Sequence, residues 1–301
     1  MRHRPVLLNE TITMLAPGNR FVDATFGGGG HTTAILNAYS NCYVFGIDRD
    51  PEAVKRAEEL ADKYKGRFDF IHARFSKLKE LLQHKDKFDG VLFDFGTSSF
   101  QLENPERGFS FLKEGVLDMR MDHDGISARD VVNGFSENDL ANIIWLYGEE
   151  PKSRKIAAEI VKARKISVIN TTTQLRKIIL KTYPISFITK KYSKLDMATK
   201  TFQALRIFVN DELSEIDAAL RQVLDILTPN GKVITISFHA LEDRIVKNWA
   251  KDNKECIKLM CQNGFMRPQK EEIIENPRAR SAILRGFMYT NFSEEKKRKK
   301  C

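Results

Sequence analysis

The sequence predicts an α/β fold: a parallel, doubly wound sheet interrupted by an all-helical insertion. Three observations carry that expectation. Short apolar runs alternate with helical patterns over residues 21–93. A glycine loop at residues 27–30 follows the first run, and an acid, Asp48, closes the second. Between about residues 104 and 200 the apolar runs give way to helical patterns.

The elements follow in order. Residues 21–23 and 43–48 read as the first two strands, with a glycine loop and a helix between them. Residues 51–64 read as a helix with Asp50 as its N-cap and Pro51 at its first position. A third strand covers 68–72, a third helix 76–83 and a fourth strand 88–93, which runs into Asp94. In such a sheet ligands bind beyond the C-terminal strand ends. Asp23, Asp48, Arg74, Phe75 and Asp94 all fall there.

The rhythm then stops. Residues 101–130 are rich in Gly, Asp, Arg and Phe and show no period. Helical patterns follow at 137–147, 153–165 and 171–182, the last opened by a Thr171 to Gln174 capping box. One long amphipathic helix is expected from Phe202 to Leu227, terminated by residues 228–231, with a fifth strand at 233–238. The expected domains are therefore 1–103 and 201–290 for the sheet, 104–200 for the insertion, and 291–301 for a basic, disordered tail.

Composition bounds the class. A hydrophobic content of 42% supports a core, and no apolar run approaches the roughly 18 residues a membrane span needs. The N-terminus lacks a signal-peptide core, so a cytoplasmic protein is expected. The four cysteines are scattered, and Cys256 and Cys261 have no second pair to complete a zinc site. They read as reduced thiols, and no metal is expected. The net charge of +9 is uneven: residues 151–200 hold thirteen Lys or Arg against Glu159 and Asp196, a local excess of +11. A face of that kind attracts a phosphate backbone, although a solvated helix surface would look similar.

The loop discriminates between ligands. The third glycine of a dinucleotide G-x-G-x-x-G motif is missing, because Thr32 stands there, and His31 to Thr33 supplies no P-loop Gly-Lys-Ser/Thr. The pattern Asp23-x-Thr25-x-Gly27-x-Gly29 instead resembles the D/E-x-G-x-G-x-G motif of S-adenosylmethionine-dependent methyltransferases, with Thr25 at the first glycine. Asp48, 18 residues after Gly30, is placed to accept two ribose hydroxyls.

Longer motifs sharpen this. HRPVLLNE at residues 3–10, DATFGGGGH at 23–31, GIDRDP at 46–51, DFGTSS at 94–99 and ERGFSF at 106–111 stand in that order. LDMRMD at 117–122, RIFVN at 206–210, SFHALEDR at 237–244 and NPRARS at 276–281 complete the set. The chain resembles the bacterial small-subunit ribosomal RNA (cytosine-N4)-methyltransferase H family, also called MraW, over about residues 3–285. That resemblance implies a Rossmann-like S-adenosylmethionine-dependent methyltransferase sheet with an inserted all-helical domain. It implies methylation of N4 of a cytidine in the decoding region of small-subunit ribosomal RNA. The implied partner is that RNA or the small ribosomal subunit, with no membrane; a homodimer is left open.

Carried over by position, the implied cofactor contacts are Gly29, Gly30, His31, Asp48, Phe75, Asp94 and Gln101. His31 reads equally well as a polar cap, and Phe75 also reads as core. Thr97 and Phe100 depart from the family pattern, where an apolar residue and proline are expected, and the 248–278 segment is shorter and more basic.

The chemistry asks for N4 in line with a sulfonium methyl and for an acceptor of its proton. Asp94 and Ser98 are the leading candidates, with Asp118, Arg120, Asp122 and His239 behind them. Three other readings stay open: a methyltransferase on another RNA or DNA, a non-catalytic cofactor-binding assembly factor, and a nicotinamide-dependent reductase, which the missing glycine disfavours.

Overall fold

A computed structural model describes residues 5–184 and 197–290 of the chain. The chain divides into two compact units, one of Met1–Gly96 with Leu213–Cys301 and one of Thr97–Glu212. No helix among the described residues is long and apolar enough to cross a membrane.

The first unit is built on seven strands: β1 (Arg20–Asp23), β2 (Tyr43–Asp48), β3 (Phe68–His72), β4 (Phe88–Asp94), β5 (Leu227–Ser237), β6 (Ile257–Leu259) and β7 (Ile283–Tyr289). Their order is β3-β2-β1-β4-β5-β7-β6. The first five run parallel, and β7 is antiparallel to both neighbours. The chain leaves β1 toward β2 on one side and later fills β4 and β5 on the other. The β1/β4 boundary is thus the switch point where a ligand crevice opens.

Apolar runs form the central strands β1, β2, β4 and β5 because both faces are covered. On one face Val44, Leu92, Ile234 and Ile236 pack with residues of α2 (Gly30–Ala38) and α3 (Glu52–Lys63), Ile35 and Ala57 among them. On the other, Phe45, Val91, Phe93 and Val233 pack with Leu78 of α4 (Leu78–Leu82). Ile216 and Leu220 of helix Glu212–Gln222 and Trp249 of helix Ala240–Asp252 complete that layer. Alternate residues of one strand thus feed two cores. The N-cap of α3 is Pro51, one residue later than expected, and the Asp50 carboxylate just before it accepts the Glu52 N–H at 2.9 Å.

Several expectations need correction. The third helix is shorter, a 3₁₀ turn at Phe75–Lys77 followed by α4. Residues 228–231 do not precede the fifth strand but bulge within it, since the β4 pairing jumps from Leu227 to Lys232. Helix α1 (Leu8–Leu15), helix Ala240–Asp252 and strands β6 and β7 had no expected counterpart.

The long helix also breaks. Asp211 has φ 51°, and separate helices cover Thr199–Asn210 and Glu212–Gln222. The break is held by polar contacts that leave the apolar period untouched. The Asn210 carboxamide accepts the Met121 N–H at 2.8 Å and donates to the Met119 carbonyl at 2.7 Å. Arg206 grips Glu212 with two bonds of 2.8 and 2.9 Å.

The second unit is helical, with its own core of Leu140, Ile144, Ile156, Ile160, Leu175, Ile179, Phe202 and Leu205. Helices Glu137–Gly148, Ser153–Arg164 and Thr172–Leu180 lie where periodicity placed them, the last opened by the Thr171 capping box. The stretch without period is ordered from within: buried Arg107 donates to the carbonyls of Arg120 and Met121. Helix Thr199–Asn210, which the sequence assigned to the returning sheet, contributes Phe202, Ala204 and Leu205 to this core. The expected insertion of 104–200 lies inside a unit that runs from Thr97 to Glu212. The expected tail at 291–301, and Lys190, Lys191 and Lys194 of the basic stretch, lie outside the described residues.

Candidate active site

The C-terminal edge of the parallel strands gathers three acids. Register sets Asp23 beside Leu92 of β4, Asp48 beside His72 of β3 and Asp94 beside Ile236 of β5. Asp23 is buried; it accepts the Thr32 hydroxyl at 2.7 Å and the Thr25 N–H at 3.3 Å. Burial pushes its carboxyl above the usual carboxylate range.

Between β1 and α2 the chain makes a tight loop, with Gly27 at φ 52° and Gly29 at φ 70°. The Gly27 peptide is held from both sides. Its N–H donates to Asp48 Oδ2 at 2.6 Å, and its carbonyl accepts Arg56 Nε from α3 at 3.1 Å. A Cβ on Gly29 would meet the Phe26 ring at 2.7 Å, and one on Gly30 would meet Pro5 at 2.5 Å. Glycine is thus required at both positions by packing inside the protein. Gly29 opens α2 without a side-chain cap, so the first amides of that helix are open to an anionic group.

Asp48 has two backbone tethers, Gly27 and the Asp50 N–H at 2.8 Å. Burial, opposed by these bonds and reinforced by Asp50 and Asp23, pushes its carboxyl up to about 6.

His31, 5% exposed, stands with Nε2 3.4 Å from Asp94 Oδ2. Among the described residues neither of its ring nitrogens has a hydrogen-bond partner, and buried Asp94 Oδ1 has none either. These atoms are left available to a bound group or a water at the strand end. Phe75 is half-buried, its ring 5.9 Å from Phe93 and 6.4 Å from Phe95. It is therefore part of the core and still partly open.

Ser98 and Gln101 belong to the second unit. There they form a reciprocal capping box on the helix Ser99–Glu103, Gln101 Oε1 accepting the Ser98 N–H at 3.0 Å. Asp118 and Arg120 pair at 2.7 and 2.9 Å within the ordered loop. His239 caps helix Ala240–Asp252. Sequence reasoning missed the roles of Arg56 and of the Thr25 hydroxyl, which accepts the Asp94 N–H at 2.7 Å. Arg56 leaves no motif; Thr25 was visible only as a departure from glycine. Among the described residues, Cys42, Cys256 and Cys261 are free thiols.

A carboxylate at the end of the second strand, open helix amides beside the glycine loop and further acids at the same edge suit S-adenosylmethionine, which combines ribose hydroxyls, a carboxylate and cationic groups. With a seven-stranded sheet of order 3-2-1-4-5-7-6 and its one reversed strand, the site defines an S-adenosylmethionine-dependent methyltransferase. Residues 1–289 match the MraW methylase family, and the chain belongs to it. Over 304 residues it is 45% identical to the ribosomal RNA small subunit methyltransferase H of Rickettsia bellii (strain RML369-C), covering 94% of this chain and 97% of that one. The same-named protein of Rickettsia conorii is 44% identical over 305 residues, with the same coverage. An rRNA methylase structure from Streptococcus thermophilus aligns over 97% of this chain and 99% of its own, at 11% identity and a TM-score of 0.43, too low to add to the argument.

Proposed function

We propose that the protein transfers the methyl group of S-adenosylmethionine to the exocyclic N4 of a cytidine in the decoding region of small-subunit ribosomal RNA. The observation that carries this is the 45% identity, over nearly the full length of both chains, to a protein named for that RNA, in a chain that keeps the acidic strand edge. The work is cytoplasmic, where the small subunit is assembled.

Asp48 would bind the ribose, the α2 amides the methionine carboxylate, and Phe75 the adenine. When bound, the cofactor supplies an activated methyl sulfonium. Cytosine N4 is a weak nucleophile because its lone pair is delocalised into the ring. The chain's task is to place N4 and accept its proton. Asp94 carries a buried oxygen with no partner at the strand end and is the first candidate. Ser98, whose hydroxyl accepts the Gln101 N–H, is the second. The base must leave its stack to be reached.

The second unit would hold the RNA. Arg154, Lys155, Lys162 and Lys165 on or just after one helix, and Lys177 and Lys181 on or just after another, are exposed. Such a surface suits a phosphate backbone. A homodimer is compatible with this reading and is checked by sedimentation. Mass mapping of ribosomal RNA from cells with and without the protein tests the substrate: one N4-methylcytidine in the small-subunit RNA should disappear. Loss of a mark from another RNA would replace that substrate with the other one.

A further inference from the structure

The methyltransferase glycine motif has Thr25 at its first glycine position, and the structure shows what the hydroxyl does. β1 and β4 are parallel and in register as far as Asp23 and Leu92. The last main-chain rung runs from Ala24 N–H to the Leu92 carbonyl at 2.9 Å. In a continued ladder the Asp94 N–H, on the same side of β4, would donate to the Ala24 carbonyl. The chain instead turns into the glycine loop. The Asp94 N–H donates to Thr25 Oγ1 at 2.7 Å, so a side chain stands in for the missing strand. On the other side of β4 the ladder continues, Phe95 N–H reaching the Ile236 carbonyl at 3.0 Å. Thr25 is itself fixed, since its N–H donates to Asp23. A glycine at position 25 has no atom that could do this.

We propose that Thr25 is a positioning residue for the methyl-transfer site: its hydroxyl fixes the main chain of Asp94 and thereby aims the Asp94 carboxylate. The proposal rests on the reading of Asp94 as a contact to the cofactor and to the reacting amine. Unlike the loop glycines, Thr25 acts on the neighbouring strand. It couples the loop that meets the cofactor to the strand end that meets the base.

The test compares Thr25→Val, which keeps the shape and removes the acceptor, with Thr25→Ser, which keeps the acceptor. Asp94→Asn serves as the reference. Calorimetry reads S-adenosylmethionine binding, single-turnover methylation of small subunits from cells lacking the protein reads the rate, and melting of the cofactor-free protein reads folding. One neutral hydrogen bond corresponds to about a three- to tenfold effect. Thr25→Val should weaken cofactor binding or slow transfer by that factor, while Thr25→Ser stays within about twofold of the parent. If Thr25→Val does not fold, Thr25→Ala is measured against the same serine variant. Parental binding and rate in Thr25→Val, or equal losses in the valine and serine variants, would overturn the proposal while a defective Asp94→Asn kept the Asp94 reading intact. An unaltered Asp94→Asn would overturn that reading, and the role of Thr25 with it.

Discussion

Asp48 Oδ2 accepts the Gly27 N–H at 2.6 Å, so the carboxylate at the end of β2 ties down the glycine loop. With Asp48 proposed as the ribose contact, ligand binding and loop geometry would depend on one side chain.

Asp48→Ala should therefore lose more than a ribose contact. Hydrogen bonds to a charged group contribute about 1.5–3 kcal/mol each, so S-adenosylmethionine affinity should fall at least about tenfold. Asp48→Asn keeps one acceptor oxygen where the parent uses two, for Gly27 and Asp50. It should fall between parent and alanine by calorimetry. A folded alanine variant with parental affinity would remove Asp48 from the site.

The raised Asp48 carboxyl gives binding a pH dependence. Ribose hydroxyls donate to the ionised form, which dominates only above about 6. Cofactor affinity should decline as pH falls through 6, approaching tenfold per unit. Stability runs the other way. A folded carboxyl held above its ordinary value of 3.8 contributes stability that is full below that value and lost as pH rises through about 6. Calorimetry from pH 5 to 7.5 should show the slope flatten in Asp48→Asn. Affinity that rises toward acid pH would contradict the assignment.

Asn210 holds the helix break in the second unit. Asn210→Ala strands the buried Met121 N–H and removes the donor to the Met119 carbonyl. Unfolding free energy should drop by about 2–4 kcal/mol, measured by denaturant titration. A change within experimental error would mean that the break is set by Asp211 alone.

The exposed cations should govern RNA binding. Changing Lys155, Lys162 and Lys165 together to Gln should weaken RNA binding and make its salt dependence shallower by up to about two units, at about 0.7 per phosphate contact. The cofactor affinity should not change. A parental salt slope with full activity would make this surface merely solvated.

Much of the sheet was legible because β1, β2, β4 and most of β5 are apolar runs buried on both faces, and β1, β2 and β4 each end on an acid at one edge. Asp23, Asp48 and Asp94 were readable as residues of one strand edge for that reason. The break at Asp211 was not, because a single left-handed residue leaves the spacing of Phe202, Leu205, Ile216 and Leu220 helical on either side. β6 has three residues, too few for a pattern. Gln101 entered only by resemblance and Ser98 by its place after the fourth strand, although the S-x-x-Q spacing is itself a capping signal. The Thr25 bond joins residues 69 apart and has no local signature.

The most direct test of the account is transfer itself. Purified protein, S-adenosylmethionine labelled in its methyl group, and small ribosomal subunits from cells lacking the protein are combined, and the RNA is digested to nucleosides and fragments for mass spectrometry. The account predicts label in a single N4-methylcytidine of the small-subunit RNA, strongly reduced with Asp94→Ala. Label on a ring carbon, on another RNA, or undiminished in Asp94→Ala would contradict it.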